Sequence, residues 1–576
     1  MEHDRSSANP LRIILGVLCI LPALWLFYAT TISPTLEIFT LSQEKLNGLT
    51  PPTYIGAANF DKLAQDQLYA RASDFTAQLV FRSVAMVAFL PLALALVLNE
   101  FRRMIRLPVQ LLFSALLGLF VPALTWLSWR LAYNPINGLF RDTHPLNDAH
   151  LASAVITDLI GQKTLILACG LGLVVYLIAL RGTAKNSLRR VIVPLFVVWF
   201  VGILAAIALS LQTFDITYLL TNGGPASSTT TLAMLVYRNS FQNLNLGYAA
   251  AMLTPTFLII IGLGLIAGLV VILASTIGHF RIEMIPIASS SGVSQGIGKI
   301  FAGLGILIVG GICLVQCYNL VQPTLWAWSN ASSPNSELFP VDQALANSLN
   351  TAVPAALITG LVTLVAAFGL GALRPLGRYS HILLIFFSPG LFYTLFLLTL
   401  PLFLNLRNLG LLNSPGALIY ADLTVNVPTL FILTLLFAGL ERQWRRSGEA
   451  DLRSFVLKVF APALPLFVFC VLVIVAMNVY DETSGLIIAQ NPTLRTLPLL
   501  AFLTQAGLSN NYAAQFAFLR QVGFPLFLVT FGLLAIYQLF YFDRLALVPE
   551  NTENTVVSTL PNDDATLFGP SEAEPR

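Results

Sequence analysis

Residues 248–276 read YAAAMLTPTFLIIIGLGLIAGLVVILAST, without one Asp, Glu, Lys, Arg or His. A helix needs about 20 apolar residues to cross the ~30 Å of hydrocarbon in a bilayer, so this stretch can span it with some tilt. Similar runs recur on both sides of it. They predict membrane spans at 11–31, 76–98, 108–132, 163–180, 191–211 and 248–276, then at 300–320, 351–373, 381–404, 416–440, 459–480 and 522–542. A Ser/Gly-rich stretch around Ser289 to Gly298 separates the two sets of six and reads as a linker. The expected fold is an all-α polytopic membrane protein of about twelve transmembrane helices in two homologous six-helix halves. Paired bundles of this kind are a transporter's architecture, with a route available where the halves meet.

Composition agrees. The chain is 56% hydrophobic and 10% charged, against the ~25% charged residues of a soluble domain. The net charge of +3 is too small to point to nucleic acid, and in a membrane chain the position of the basic residues matters more. Arg102, Arg103 and Arg106 share one short loop. Arg181, Lys185, Arg189 and Arg190 share a second, Arg374 and Arg378 a third, and Arg442, Arg445, Arg446, Arg453 and Lys458 a fourth. With twelve spans all four loops lie on the side of the N-terminus, and the positive-inside rule makes that side cytoplasmic, with both termini there, in a bacterial inner membrane. Arg5 and Arg12 before the run from Ile14 to Ala29 mimic a secretory signal, but the run is long and no small-x-small site follows it, so it reads as a retained first helix. The division expected is 1–285 for the first half, 286–299 for a cytoplasmic linker, 300–545 for the second half and 546–576 for an acidic, disordered tail.

Enzyme signatures are missing. The five histidines are scattered, and neither a His-Glu-x-x-His helix nor a Gly-x-Ser-x-Gly elbow is present. Gly292 to Ile300 mimics a P-loop, but Ile297 stands where the second Gly is needed and Ile300 cannot hold Mg²⁺. No nucleotide, metal or other cofactor is expected, and ATP hydrolysis would have to come from a separate subunit. Cys19, Cys169, Cys313, Cys317 and Cys470 lie in or beside apolar runs and suggest neither a disulfide framework nor a metal site. Arg82, Arg130, Asp215 and Asp422 fall near predicted span ends, where reaching the interface relieves the cost of a charge in lipid.

The most specific string follows the fifth span: Leu211-Gln212-Thr213-Phe214-Asp215-Ile216-Thr217-Tyr218-Leu219-Leu220-Thr221-Asn222-Gly223-Gly224-Pro225, then Tyr237-Arg238 and Gly247-Tyr248-Ala249. Gly-Gly-Pro is a turn that takes the backbone out of the helix, which is tolerable only where protein or water faces it. The ordered string resembles the first permease subunit of maltose-type carbohydrate ABC importers, which carries Phe-Asp-x-x-Tyr-x-Leu-Thr-x-Gly-Gly-Pro followed by Tyr-Arg and Gly-Tyr-Ala. Tyr54-Ile55-Gly56 and Trp129-Arg130 are similar to other parts of that subunit. Asn350-Thr351, Leu409 to Asn413, Tyr480-Asp481-Glu482 and Leu494 to Pro498 resemble its partner permease. The resemblance covers roughly 11–545, as though the two subunits were fused.

That resemblance implies a type I importer permease that is not itself an enzyme. Two copies of an ATP-binding cassette ATPase and an extracytoplasmic solute-binding protein would be its partners, with the lipid bilayer around it. Substrate-cavity candidates are Gln212, Phe214, Asp215 and Tyr218 in one half and Asn478, Tyr480, Asp481 and Glu482 in the other, since aromatic faces with amide or carboxylate groups suit hydroxyl-rich ligands. The same residues could equally be helix ends satisfying their own backbone. The family's cytoplasmic Glu-Ala-Ala coupling loops are shortened here. The ATPase-coupling candidates that remain are Gly182, Lys185, Arg189 and Arg190, with Arg442, Arg445, Arg446, Gly448 and Glu449. A degenerate permease acting as a membrane scaffold, or an ion-coupled carrier, is the competing reading.

Overall fold

The computed structural model describes residues 10–48, 50–101, 103–120, 122–134, 138–140, 142–143, 145–181, 188–285, 302–330, 340–448, 451–481, 483–488, 491–506 and 512–548. The linker 286–299 and the tail beyond 548 lie outside the described residues. Among those described, nine helices are long and apolar enough to cross a membrane. They are Pro10–Leu41, Gln67–Asn99, Ala149–Arg181, Ile192–Leu220, Leu246–Thr276, Ala302–Ser329, Val341–Leu373, Arg453–Tyr480 and Gln521–Arg544. The pair Arg103–Leu119 and Leu124–Ala132, bent by 77°, makes a tenth if it is one span. The protein is an all-α, multi-pass membrane protein.

Several helices start well before their apolar runs because polar caps begin them. Asp148 accepts hydrogen bonds from the backbone N–H groups of His150 and Leu151, so that helix starts at Ala149 and brings Lys163 inside it. Asp66 does the same for the helix from Gln67 and also accepts from the Tyr248 hydroxyl at 2.6 Å.

Three predicted spans are broken. The stretch 381–404 is no single α-helix: 3₁₀ turns cover Gly377–Phe386 and Ser388–Gly390, and an α-helix runs only over Leu395–Asn408. Pro389 removes a backbone donor there, and the helix Leu246–Thr276 lies directly on the break through Gly264 and Gly268. A Cβ at either glycine would overlap the Ser388 carbonyl or hydroxyl. The protein itself thus covers the irregular backbone. The stretch 416–440 divides into Pro415–Ala421 and Val427–Arg446, the latter capped by Asn426 through the Thr429 N–H. The third is the bend within 108–132.

The two sets of spans interlock. Gly16 of the first helix packs on Pro375, Trp129 Nε1 donates to the Leu320 carbonyl at 3.0 Å, and Gln538 donates to Ser114 at 2.6 Å. At one end the strands Arg281–Met284 and Leu545–Val548 pair antiparallel, Arg281 opposite Val548 and Met284 opposite Leu545. The chain's two sets of helices are therefore buckled together just before the linker and just before the tail.

Candidate functional site

The helix Leu188–Leu211 stops where Gln212, Thr213 and Phe214 leave it, and a short helix Asp215–Leu220 leads into the Gly-Gly-Pro turn. Threonines fold this segment back on itself. Thr231 caps the helix Leu232–Tyr237 and donates to the Thr213 carbonyl at 2.8 Å. Thr230 donates to the Gly223 carbonyl at 3.1 Å, and Thr221 and Thr229 share a hydrogen bond of 2.6 Å. Arg238 donates to the Asn222 carbonyl at 2.6 Å. Gly223 has φ +72°, and a Cβ on it would crowd Thr230 and Met234. Most of the motif is thus used to satisfy backbone that no helix satisfies.

Gln212 does more. Its side-chain nitrogen donates to the carbonyls of Ala208 and Phe392, each at 2.8 Å, and its oxygen accepts from the N–H and the hydroxyl of Thr394, each also at 2.8 Å. One buried amide therefore ties the end of one set of helices to the broken segment of the other. Beside it Phe214 stacks on Phe396 with ring centroids 5.1 Å apart, on Tyr218 at 5.0 Å, and meets Tyr237 at 5.0 Å. These rings belong to one apolar cluster with Ile487, Ile488 and Leu499. Gln212 and Phe214 are buried, whereas Asp215 and Tyr218 remain half-buried.

Asp215 accepts from Trp126 Nε1 at 2.9 Å and pairs with Lys163 at 3.2 Å. Lys163 was not among the candidate residues. The cue was a lysine at the predicted edge of the span 163–180, which the helix start at Ala149 moves well inside. Arg82 and Asp158 form a second ion pair at 2.8 Å, this one between the helices Gln67–Asn99 and Ala149–Arg181. Charges in or near lipid are affordable in such pairs.

The second-half candidates divide. Tyr480 turns its hydroxyl to Thr530 at 3.1 Å and packs with Trp326 and Phe516 in a different cluster from Phe214. Asn478 keeps a buried side-chain nitrogen without a hydrogen-bond partner, as Asp422 keeps Oδ1. Asp481 is half-buried at the end of the helix Ala461–Tyr480, and Glu482 lies outside the described residues. The structure therefore places Phe214 and Tyr218 in one cluster with Leu486, Ile487, Ile488, Leu494 and Leu499, which lie beyond the named second set. Among the described residues no group of three or more His, Cys, Asp or Glu could hold a metal ion.

The basic loops gather at one end of the molecule. Buried Glu441 pairs with Arg12 at 2.9 Å, Arg374 at 3.2 Å, and Arg445. Burial pushes the Glu441 carboxyl up, but the charges of Arg374 and Arg445, with hydrogen bonds from Arg445 and Arg12, outweigh it and hold the group below the usual glutamate range. Glu283, on the strand Arg281–Met284, pairs with Arg442 at 3.5 Å and Arg446 at 3.7 Å. Asp543, next to the partner strand, pairs with Arg103 at 2.9 Å, Arg106 at 3.1 Å and Arg181 at 2.5 Å. Arg442, Arg445 and Arg446 are thus engaged in internal ion pairs. Gly448, with φ +71°, turns the chain directly from the helix Val427–Arg446. Arg189 and Arg190 open the helix Leu188–Leu211, while Gly182, Lys185 and Glu449 lie outside the described residues.

No family model matches the chain. Individual relatives do. It is 28% identical over 273 residues to the sulfoquinovosyl glycerol transport system permease SmoG of Agrobacterium fabrum, a match covering 43% of this chain and 83% of that permease. SmoH, a permease of the same named system, is 28% identical over 238 residues, covering 37% of this chain and 82% of SmoH. The trehalose/maltose permease MalF of Thermococcus litoralis is 27% identical over 272 residues, covering 43% of this chain and 90% of MalF. The chain is an ABC importer permease. Each relative matches less than half of this permease while being itself matched over most of its length. In this permease the Gly-Gly-Pro segment is a scaffold that aims Gln212 and Phe214 across to the other set of helices.

Proposed function

We propose that this chain is a fused dual permease, 1–285 and 300–545 each standing for one subunit, which passes a carbohydrate delivered by an extracytoplasmic binding protein. Two copies of a separate ATPase would dock on the basic face, which is then the cytoplasmic one. The observation that carries the reading is the Gln212 junction. It couples the segment after the fifth span of one half to the segment 392–394 of the other, where motion of one half must be felt by the second. Element order supports the division: a short helix follows both Leu188–Leu211 and Ala461–Tyr480, at Asp215–Leu220 and Thr483–Ile488, before each final long helix. ATP and loaded receptor drive such a cycle only by binding one arrangement of the halves better than the other.

Within this reading Tyr218 and Asp215, half-buried beside the aromatic cluster, are the groups a sugar would reach, and Gln212 and Phe214 position them. The test is reconstitution with the cognate ATPase and receptor. Sugar uptake should require both and ATP, and Tyr218→Ala should raise KM with little loss of folded protein. Unchanged KM in that variant would remove Tyr218 from the route.

A degenerate permease serving as a scaffold is the second reading, and one observation favours it. The arginines of the second coupling region are held by Glu283 and Glu441, and the turn at Gly448 leaves little chain for a docking helix. Co-purification distinguishes the two: an ATPase whose hydrolysis rises when receptor is added supports transport, and its absence supports the scaffold.

A further inference from the structure

Around Asp543 the charges do not balance. Three guanidiniums, from Arg103, Arg106 and Arg181, converge on one carboxylate. Arg106 is only 6% exposed, and its Nε and that of Arg181 lack hydrogen-bond partners. Buried cations in excess call for a further anion. Next to this node a groove of about 400 Å³ opens between the helices Arg103–Leu119 and Tyr512–Phe540, lined by Arg103, Met104, Leu107, Leu539, Phe540 and Arg544. Arg544 is exposed and makes no side-chain ion pair among the described residues. Met104 and Phe540 are 86% and 67% exposed, as side chains facing lipid are. The groove is therefore cationic at its rim, apolar along its walls and placed at the end of two membrane helices.

We propose that this groove binds an anionic phospholipid of the surrounding bilayer, its phosphate held by Arg103 and Arg544 and its acyl chains lying along Met104, Leu107, Leu539 and Phe540. A headgroup phosphate supplies the missing negative charge without entering the low-dielectric interior, and acyl chains match the apolar wall. The lipid would brace the contact between Arg103–Leu119 and the last long helix, where the two sets of spans meet. This site does not depend on what the permease transports.

The test uses the full chain, delipidated and returned to nanodiscs of phosphatidylglycerol and phosphatidylcholine, with retained lipid counted by native mass spectrometry. Phosphatidylglycerol should be retained selectively. Arg544→Ala should weaken that retention about fivefold, the effect of one basic residue near an anionic surface. Arg544→Lys should keep most of it, and Arg378→Ala, an exposed arginine elsewhere on the basic face, should change nothing. Met104→Glu, at a fully accessible wall position, should expel the lipid even if Arg544→Ala folds poorly. Equal retention of phosphatidylcholine, displacement by inorganic phosphate, or indifference to both Arg544→Ala and Met104→Glu overturns the proposal. So does phosphatidylglycerol binding that appears only after residues 550–576 are deleted, since the acidic tail would then be the occupant.

Discussion

Gln212 makes four hydrogen bonds with one side chain, two of them to Thr394, so its replacement leaves several buried polar groups without partners at once. Gln212→Leu should destabilise the folded protein by about 1–3 kcal/mol, in the range for buried unsatisfied groups, and should uncouple transport more than it unfolds the chain. Thermal unfolding in detergent and uptake assays measure the two effects, and a variant with full stability and transport would remove the junction from the account. Glu441 makes a second residue-scale prediction. Its folded-state carboxyl titrates below the unfolded one, so its contribution is present above the ordinary glutamate pKa of about 4.3 and is lost as pH falls through the lower folded value. Glu441→Gln should cost about 3–5 kcal/mol at neutral pH by leaving three arginines without their shared anion. The gap between wild type and Glu441→Gln should close in acid, which pH-dependent melting curves will read. Phe214 and Gln212 could be picked from the string before Gly-Gly-Pro because aromatic faces and amide groups suit hydroxyl-rich ligands. Lys163 offered only its place at a predicted span edge, because its position well inside a helix depends on the cap that Asp148 provides far upstream.

Elements were legible where hydropathy is unbroken. The spans 76–98 and 248–276 lie inside the helices Gln67–Asn99 and Leu246–Thr276. The misreading of 381–404 has a physical cause: hydropathy measures transfer into an apolar medium, and a protein interior is as apolar as lipid. Phe387-Ser388-Pro389-Gly390 breaks the helix while remaining under the Gly264 and Gly268 face of Leu246–Thr276. Gly268→Val should therefore separate this helix from the 388–390 turn. We expect much-reduced folded yield, and Gly262→Val, at a half-buried position on the same helix, should be near neutral, since nothing crowds a Cβ there. Equal yields of the two variants in size-exclusion profiles would contradict the packing described.

At the scale of the whole molecule, the basic loops are the feature that sequence reading placed on one side without knowing their partners. Arg103, Arg181, Arg374 and Arg442 do meet at one end, held by Asp543, Glu441 and Glu283, acids that lie far away in the chain. Such long-range pairing has no local signature. Contacts such as Arg12 with Glu441 and Trp129 with Leu320 join the two sets of spans without the linker. Cutting the chain within 286–299 and co-expressing both pieces should thus yield a complex that co-purifies and retains most activity. Pieces that fail to associate would mean that the covalent link, not the interlocked helices, holds the halves.

ATP-driven uptake of radiolabelled sugar into proteoliposomes holding the permease, its ATPase and its receptor bears most directly on the central claim. The account predicts accumulation that needs all three proteins and ATP and that falls sharply with Gln212→Leu. Accumulation driven by an ion gradient with no ATPase present, or no uptake at all from a fully assembled complex, would contradict it.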